Sequence, residues 1–187
     1  LKVTDRAVTL SEAQIQRYSR QILLREVGGI GQVRLLSAGV ELRGTGAFLE
    51  IAASYLAAGG CPVRWNGTWV EGFDPEAARD APVRLVVGAE GPSSAAVAQV
   101  RVGWTDGAPL LAYRAADGCD LCFTRLGEGG AAASESTPPT GLLGTLAALI
   151  GQALLLGRLV GVGAVRVEAD GTVSPVVVAR GEGCTHG

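Results

Sequence analysis

Lysine is almost missing from this sequence: of 16 basic residues, only Lys2 is not an arginine. Bulk charge is missing too, since 18 acidic residues leave a net of −2 at pH 7. Without a basic excess, nucleic-acid binding driven by overall charge is excluded. Aromatics make up only 5% of the residues, too few for base-stacking platforms. The stretch Leu1-Lys2-Val3-Thr4-Asp5-Arg6 has no apolar core segment, so no signal peptide and a reducing, cytoplasmic location are expected. No internal repeat is visible. What is present is apolar material: 48% of 187 residues, enough to bury a core in one domain and to exclude global disorder. Glycine is abundant, with 28 residues. The uncharged run from Gly141 to Gly157 approaches the length of a membrane span. Its four glycines, Thr145 and Gln152 mark it instead as a buried core or dimer-interface helix, so no membrane partner is expected.

Strands and helices alternate in the first half. Ser11 with Gln14 has capping-box spacing and predicts a helix running to about Leu24, broken by Gly28, Gly29 and Gly31. Gly39–Arg43 reads as a strand, Phe48–Ala58 as a helix ended by Gly59-Gly60, and Pro62–Trp65 as the next strand. The nearly unbroken apolar run Val83–Val87 suits a buried parallel strand. Ser94–Val102 reads as helical and Pro109–Tyr113 as a strand. A loop of low information spans about 127–140, and a long helix about 142–160. Ala164–Ala169 and Val173–Ala179 flank Asp170-Gly171, a strong hairpin signal. The expected fold is α/β, with a mixed, mostly parallel sheet and a C-terminal hairpin. We expect one domain over 1–187 with an N-terminal helical arm at about 10–35.

Three groups of residues carry chemistry. Gly44-Thr45-Gly46 lies between a predicted strand and helix, where a nucleotide-binding turn belongs. Leu49 replaces a third glycine, and an ordinary strand–helix turn is the alternative. Cys119 and Cys122, two residues apart, have the spacing to grip one side of a tetrahedral zinc. Cys184 and His186 near the chain end would complete it, giving a closed, structural site. A thioredoxin-type redox pair or plain thiols are the alternatives. Arg17, Arg20 and Arg25 read locally as a solvated, charged face.

Together these pieces resemble the ThiF/MoeB/HesA family, relatives of ubiquitin-activating E1 enzymes. The resemblance rests on Gln16-Arg17-Tyr18-Ser19-Arg20-Gln21, on Gly44-Thr45-Gly46 with Tyr55–Gly60, on Gly118-Cys119 to Cys122, on Gly141–Gly151, and on Cys184 to Gly187. It implies that the α/β fold is Rossmann-like, and it implies a dimer that binds ATP and magnesium and adenylates the C-terminus of a ubiquitin-like or sulfur-carrier protein. It implies that Arg20 reaches across the dimer to the partner's phosphates, a task suited to a permanently charged planar fork.

The departures point away from catalysis by this chain. Where the family has Asp-x-Asp to hold ribose and metal, Asn66-Gly67-Thr68 stands, and neutral side chains do not attract magnesium. The family's Asn-Leu-x-Arg-Gln segment and nearby lysine have no counterpart. Glu90 is the best match for the metal-binding aspartate. No cysteine lies between Cys122 and Cys184 to act as a nucleophile. The resemblance therefore implies a degenerate member, paired with itself or with an active paralogue, with zinc as a structural cofactor and little to hold ATP. An active adenylyltransferase using Glu90, Gly44 and Gly46, and a zinc-stapled binding module, are the competing readings.

Overall fold

The computed structural model describes residues 9–71, 82–88, 97–105, 108–126, 140–178 and 184. Among these residues, eight strands form one sheet in the order β3-β2-β1-β4-β5-β6-β7-β8. They are β1 Gly39–Arg43, β2 Val63–Trp65, β3 Thr68–Trp69, β4 Val83–Gly88, β5 Ala98–Thr105, β6 Ala108–Arg114, β7 Val162–Val167 and β8 Val173–Val176. The central strands β2, β1, β4 and β5 run parallel, and antiparallel strands flank them. The fold is thus the expected mixed α/β sheet with a parallel centre and a closing β7–β8 hairpin. In that hairpin, the Thr172 N–H donates to Asp170 Oδ1 at 2.8 Å, which holds the Asp170 carboxyl below its ordinary range.

Among the described residues, six helices accompany the sheet: α1 Glu12–Arg17, α2 Ser19–Ile22, α3 Gly28–Leu36, α4 Ala47–Ala58, α5 Asp120–Arg125 and α6 Thr140–Leu155. Helix α1 starts with the reciprocal capping box that the sequence announces. Helix α4 buries Leu49, Ala52, Ala53, Leu56 and Ala57, an apolar stripe at helical spacing. It packs against α6, which buries Leu143, Gly144, Ala147, Ala148, Ile150, Gly151 and Leu154. Two glycines let α6 pack closely, Gly144 against α4 and Gly151 against β4. A Cβ on Gly144 would lie 2.5 Å from the Phe48 carbonyl, and one on Gly151 2.7 Å from Leu85 Cδ2. No helix among the described residues is long and apolar enough to cross a membrane.

Alternation along β6 sorts the two sides of the sheet. Leu111 joins the main core with α4 and α6, whereas Leu110 and Ala112 pack with Phe123 of α5 and Ala164. Helix α5 therefore covers the opposite face from α4 and α6.

Two expectations need correction. Residues 98–102 are strand, not helix: β5 pairs with β4 on one side and β6 on the other. Cross-strand hydrogen bonds and the buried Ala98 and Val100 outweigh local helical preference there. The first helical stretch stops at Ile22, close to the expected Leu24, but Gly28, Gly29 and Gly31 lie inside a new helix, α3, and do not make the break. Gly31 is buried, and a Cβ there would meet Leu156 Cδ2 at 2.9 Å, so the glycine serves packing, not termination. The expected loop at about 127–140 lies almost wholly outside the described residues.

Candidate functional site

The glycine turn sits at the end of β1 and leads directly into α4. Gly44 has φ 102° and Gly46 φ 132°, conformations that side chains rarely adopt. Gly46 caps α4 without any side-chain hydrogen bond.

The backbone of Gly44 is already engaged. The Gly44 N–H donates to Asn66 Oδ1 at 3.1 Å. The Gly44 carbonyl accepts from Asn66 Nδ2 at 3.2 Å and from Trp65 Nε1 at 2.9 Å. Asn66 reaches this position through the two-residue turn that joins β2 to β3, with φ 46° at Asn66 and 83° at Gly67. Both angles are positive, the pattern of a type I′ hairpin, for which Asn-Gly is a favoured pair. Glu41 Oε1 accepts from the Gly67 N–H at 3.1 Å and steadies the hairpin. Asn-Gly is a signal by which the sequence could have marked this turn. The contact of Asn66 with Gly44, 22 residues earlier, has no such signal.

The arginine of the arm is placed elsewhere. Tyr18 is 2% exposed, and a Cβ on Gly60 would lie 3.1 Å from its ring carbon and hydroxyl. Buried Gln32 of α3 donates to the Gly59 carbonyl at 3.0 Å. Arg158, just beyond α6, donates to the Glu26 carbonyl at 2.9 and 3.2 Å. The arm is thus pinned at the C-terminal end of α4, while Gly46 marks its N-terminal end. Twelve residues of helix separate these ends, about 18 Å at the usual rise. Arg20 is exposed beside the buried Tyr18, at the far end from the glycine turn.

The third element is a thiol cluster. Cys119, Cys122 and Cys184 present sulfurs that all lie within 4.8 Å of one another. Cys122 Sγ is 2.8 Å from Cys184 Sγ, and Cys119 Sγ is 3.6 Å from it. Cys119 is the N-cap of α5. The nearby Cys122 backbone N–H is the main cause that lowers the Cys119 thiol to about 7. Burial works against that shift, and the Cys184 and Cys122 thiols and the Leu121 N–H add to it. A cluster of sulfurs, one already inclined to ionise, is a donor set that suits zinc. The sequence separates Cys184 from Cys122 by 62 residues, and the fold brings them together. His186, the fourth expected ligand, and Glu90, the expected magnesium ligand, lie outside the described residues.

The remaining cysteine behaves oppositely. Cys61 is buried in the core, and burial pushes its thiol up to about 12. In metal-free native protein at pH 7.5, iodoacetamide is expected to label Cys119 readily and to leave Cys61 untouched until the chain unfolds. Peptide mapping by mass spectrometry reads this, and early labelling of Cys61 would contradict it.

No protein-family model matches the chain. Short stretches match curated proteins. Identity is 48% over 52 residues with the adenylyltransferase and sulfurtransferase MOCS3 of Drosophila ananassae, covering 28% of this chain and 12% of that one. It is 47% over 53 residues with the SAMP-activating enzyme E1 of Haloferax volcanii, covering 28% of this chain and 20% of that one. These matches thus span a fifth or less of the relatives' own length. Solved structures match far more of the chain. PaaA superposes with a TM-score of 0.61 at 14% identity, over 95% of this chain and 77% of that one. Escherichia coli MccB, solved with MccA-N7isoASN, gives 0.56 at 13% identity, over 90% and 74%.

Proposed function

We propose that this chain, a divergent member of the ThiF/MoeB family, is a non-catalytic subunit. It would support adenylation of a ubiquitin-like or sulfur-carrier protein by a partner. The premise is its kinship with the E1-like adenylyltransferases. The observation that carries the reading is the engagement of the Gly44 turn by Asn66 and Trp65. A nucleotide needs backbone N–H groups at such a turn. Here the Gly44 N–H has an internal partner, and no carboxylate stands at Asn66 to replace it in holding ribose or metal. Adenylation depends on groups fixed around developing phosphate charge.

Arg20 takes the opposite role. Its motif is intact while the Gly44 backbone of its own chain is already engaged. Its place at the far end of α4 suits service to another molecule. A guanidinium there offers a permanent charge and a two-pronged fork to phosphate oxygens. Large apolar side chains stand exposed on the arm and on the outer helices: Leu23 at 84%, Ile30 at 77%, Leu149 at 59% and Tyr55 at 53%. A homodimer, or a heterodimer with an active E1-like paralogue, would cover them. Cys119, Cys122 and Cys184, with His186, would hold a structural zinc with no open position for substrate.

Mixing the chain with an active paralogue and following ATP–pyrophosphate exchange tests the reading. The mixture should exceed the paralogue alone, and Arg20→Ala should remove most of that gain. A mixture as active with Arg20→Ala as without it would show that Arg20 has no such role.

A further inference from the structure

Helix α5 has only six residues. A helix that short is not stable by its own hydrogen bonds, so outside contacts must fix its geometry. Two arginines from the sheet provide them. At the start of the helix, Arg114 of β6 is fully buried, and its Nε lies 3.1 Å from Asp120 Oδ1. Its Nη2 donates to the Val97 carbonyl at 2.9 Å. At the other end, Arg101 of β5 donates through Nη2 to the carbonyls of Phe123 at 2.6 Å and Thr124 at 3.2 Å. Its guanidinium carbon stands 4.6 Å from the centre of the Phe123 ring. None of these contacts uses a sulfur.

Asp120 lies between Cys119 and Cys122, in the first turn, where a carboxylate also favours the helix dipole. The preceding loop is seated on the same arginine. A Cβ on Gly118 would lie 2.7 Å from Arg114 Cγ and 2.5 Å from the Gly161 carbonyl. A buried guanidinium requires a partner, and Asp120 is the carboxylate placed to be one.

We propose that Arg114 and Asp120 are a positioning pair that presets Cys119 and Cys122 for a metal ion before the metal arrives. The inference rests on the reading of the thiol cluster as a metal site. Neither residue supplies a donor; the pair acts by fixing the backbone that carries two of them. Ordering the donors in advance lowers the conformational cost of binding. Contacts of this kind, one step removed from a metal, are commonly worth about 10–100-fold in affinity.

The test uses the full chain, stripped of metal and titrated with zinc against a chromophoric chelator. Cobalt(II) is added in parallel to read the absorption bands of thiolate coordination. Asp120→Asn should weaken zinc binding about 10–100-fold and alter the cobalt bands, while circular dichroism stays native. Asp120→Glu should recover part of the affinity. Arg114→Lys, which keeps the charge but loses the fork, should weaken binding similarly, and it is the variant to read if Asp120→Asn does not fold. Native zinc affinity in whichever of these two variants folds, even with a lowered melting temperature, overturns the positioning role alone. A wild-type chain that takes up no zinc or cobalt overturns the metal reading and this inference with it.

Discussion

Gly144→Val should lower the melting temperature by about 6–12 °C, the largest effect expected of any single change on the helical face. The α4–α6 crossing is the central helix contact, and a Cβ at Gly144 would lie 2.5 Å from the Phe48 carbonyl and 2.6 Å from Ile51 Cβ. The first obstacle is backbone, which cannot swing aside as a flexible side chain does. Overpacking a core costs about 1–3 kcal/mol, and a backbone obstacle places this site at the upper end. For a chain of this size each kcal/mol shifts the midpoint by about 2–4 °C. Gly141, one turn earlier, is the control, since nothing lies within 4 Å of a Cβ there. Gly141→Ala should hold or raise stability by up to about 1 kcal/mol, because alanine favours helix. Thermal unfolding followed by circular dichroism reads both. Equal midpoints for Gly144→Val and wild type would refute the packing argument.

The isolated chain should bind ATP-magnesium no tighter than about 1 mM, a binding free energy no better than about −4.1 kcal/mol. It should show no measurable ATP–pyrophosphate exchange. Losing one preorganised donor to a developing oxyanion costs about 2.7–4 kcal/mol, or 10²–10³ in rate. At this turn the Gly44 N–H is engaged by Asn66, and the position expected to carry a ribose- or metal-binding carboxylate is Asn66 itself. The only lysine in the sequence is Lys2. Two such losses together multiply to about 10⁴-fold or more. Asn66→Ala should free the Gly44 N–H yet not create exchange, because the missing charges are not restored. Calorimetry showing micromolar ATP binding by wild-type chain would sink the non-catalytic reading. It would revive an active enzyme with Glu90 as its metal ligand.

Local chemistry was legible in the residues themselves. The Ser11–Gln14 capping box, the apolar stripe of α4, the buried run of β4 and the Asp170-Gly171 hairpin each involve neighbours a few positions apart. Short-range hydrogen bonding and side-chain periodicity decide them, so periodic reading works there. The two-residue spacing of Cys119 and Cys122 is also local, and it survives as the start of α5.

Long-range partners were decided only by the folded chain. Residues 98–102 were expected to continue a helix from Ser94, but the open edges of β4 and β6 provided hydrogen bonds that a helix there could not match. Asn66-Gly67-Thr68 looked like a damaged acidic motif. In space it is a tight turn whose amide reaches back to Gly44. Arg114 drew no notice in the sequence, yet it is wholly buried, with the Asp120 carboxylate 3.1 Å from its Nε and the Val97 carbonyl accepting from its Nη2. Cys184 acquires its two sulfur neighbours in the same way. Such pairings depend on which strand lies beside which, and sequence distance carries no record of that.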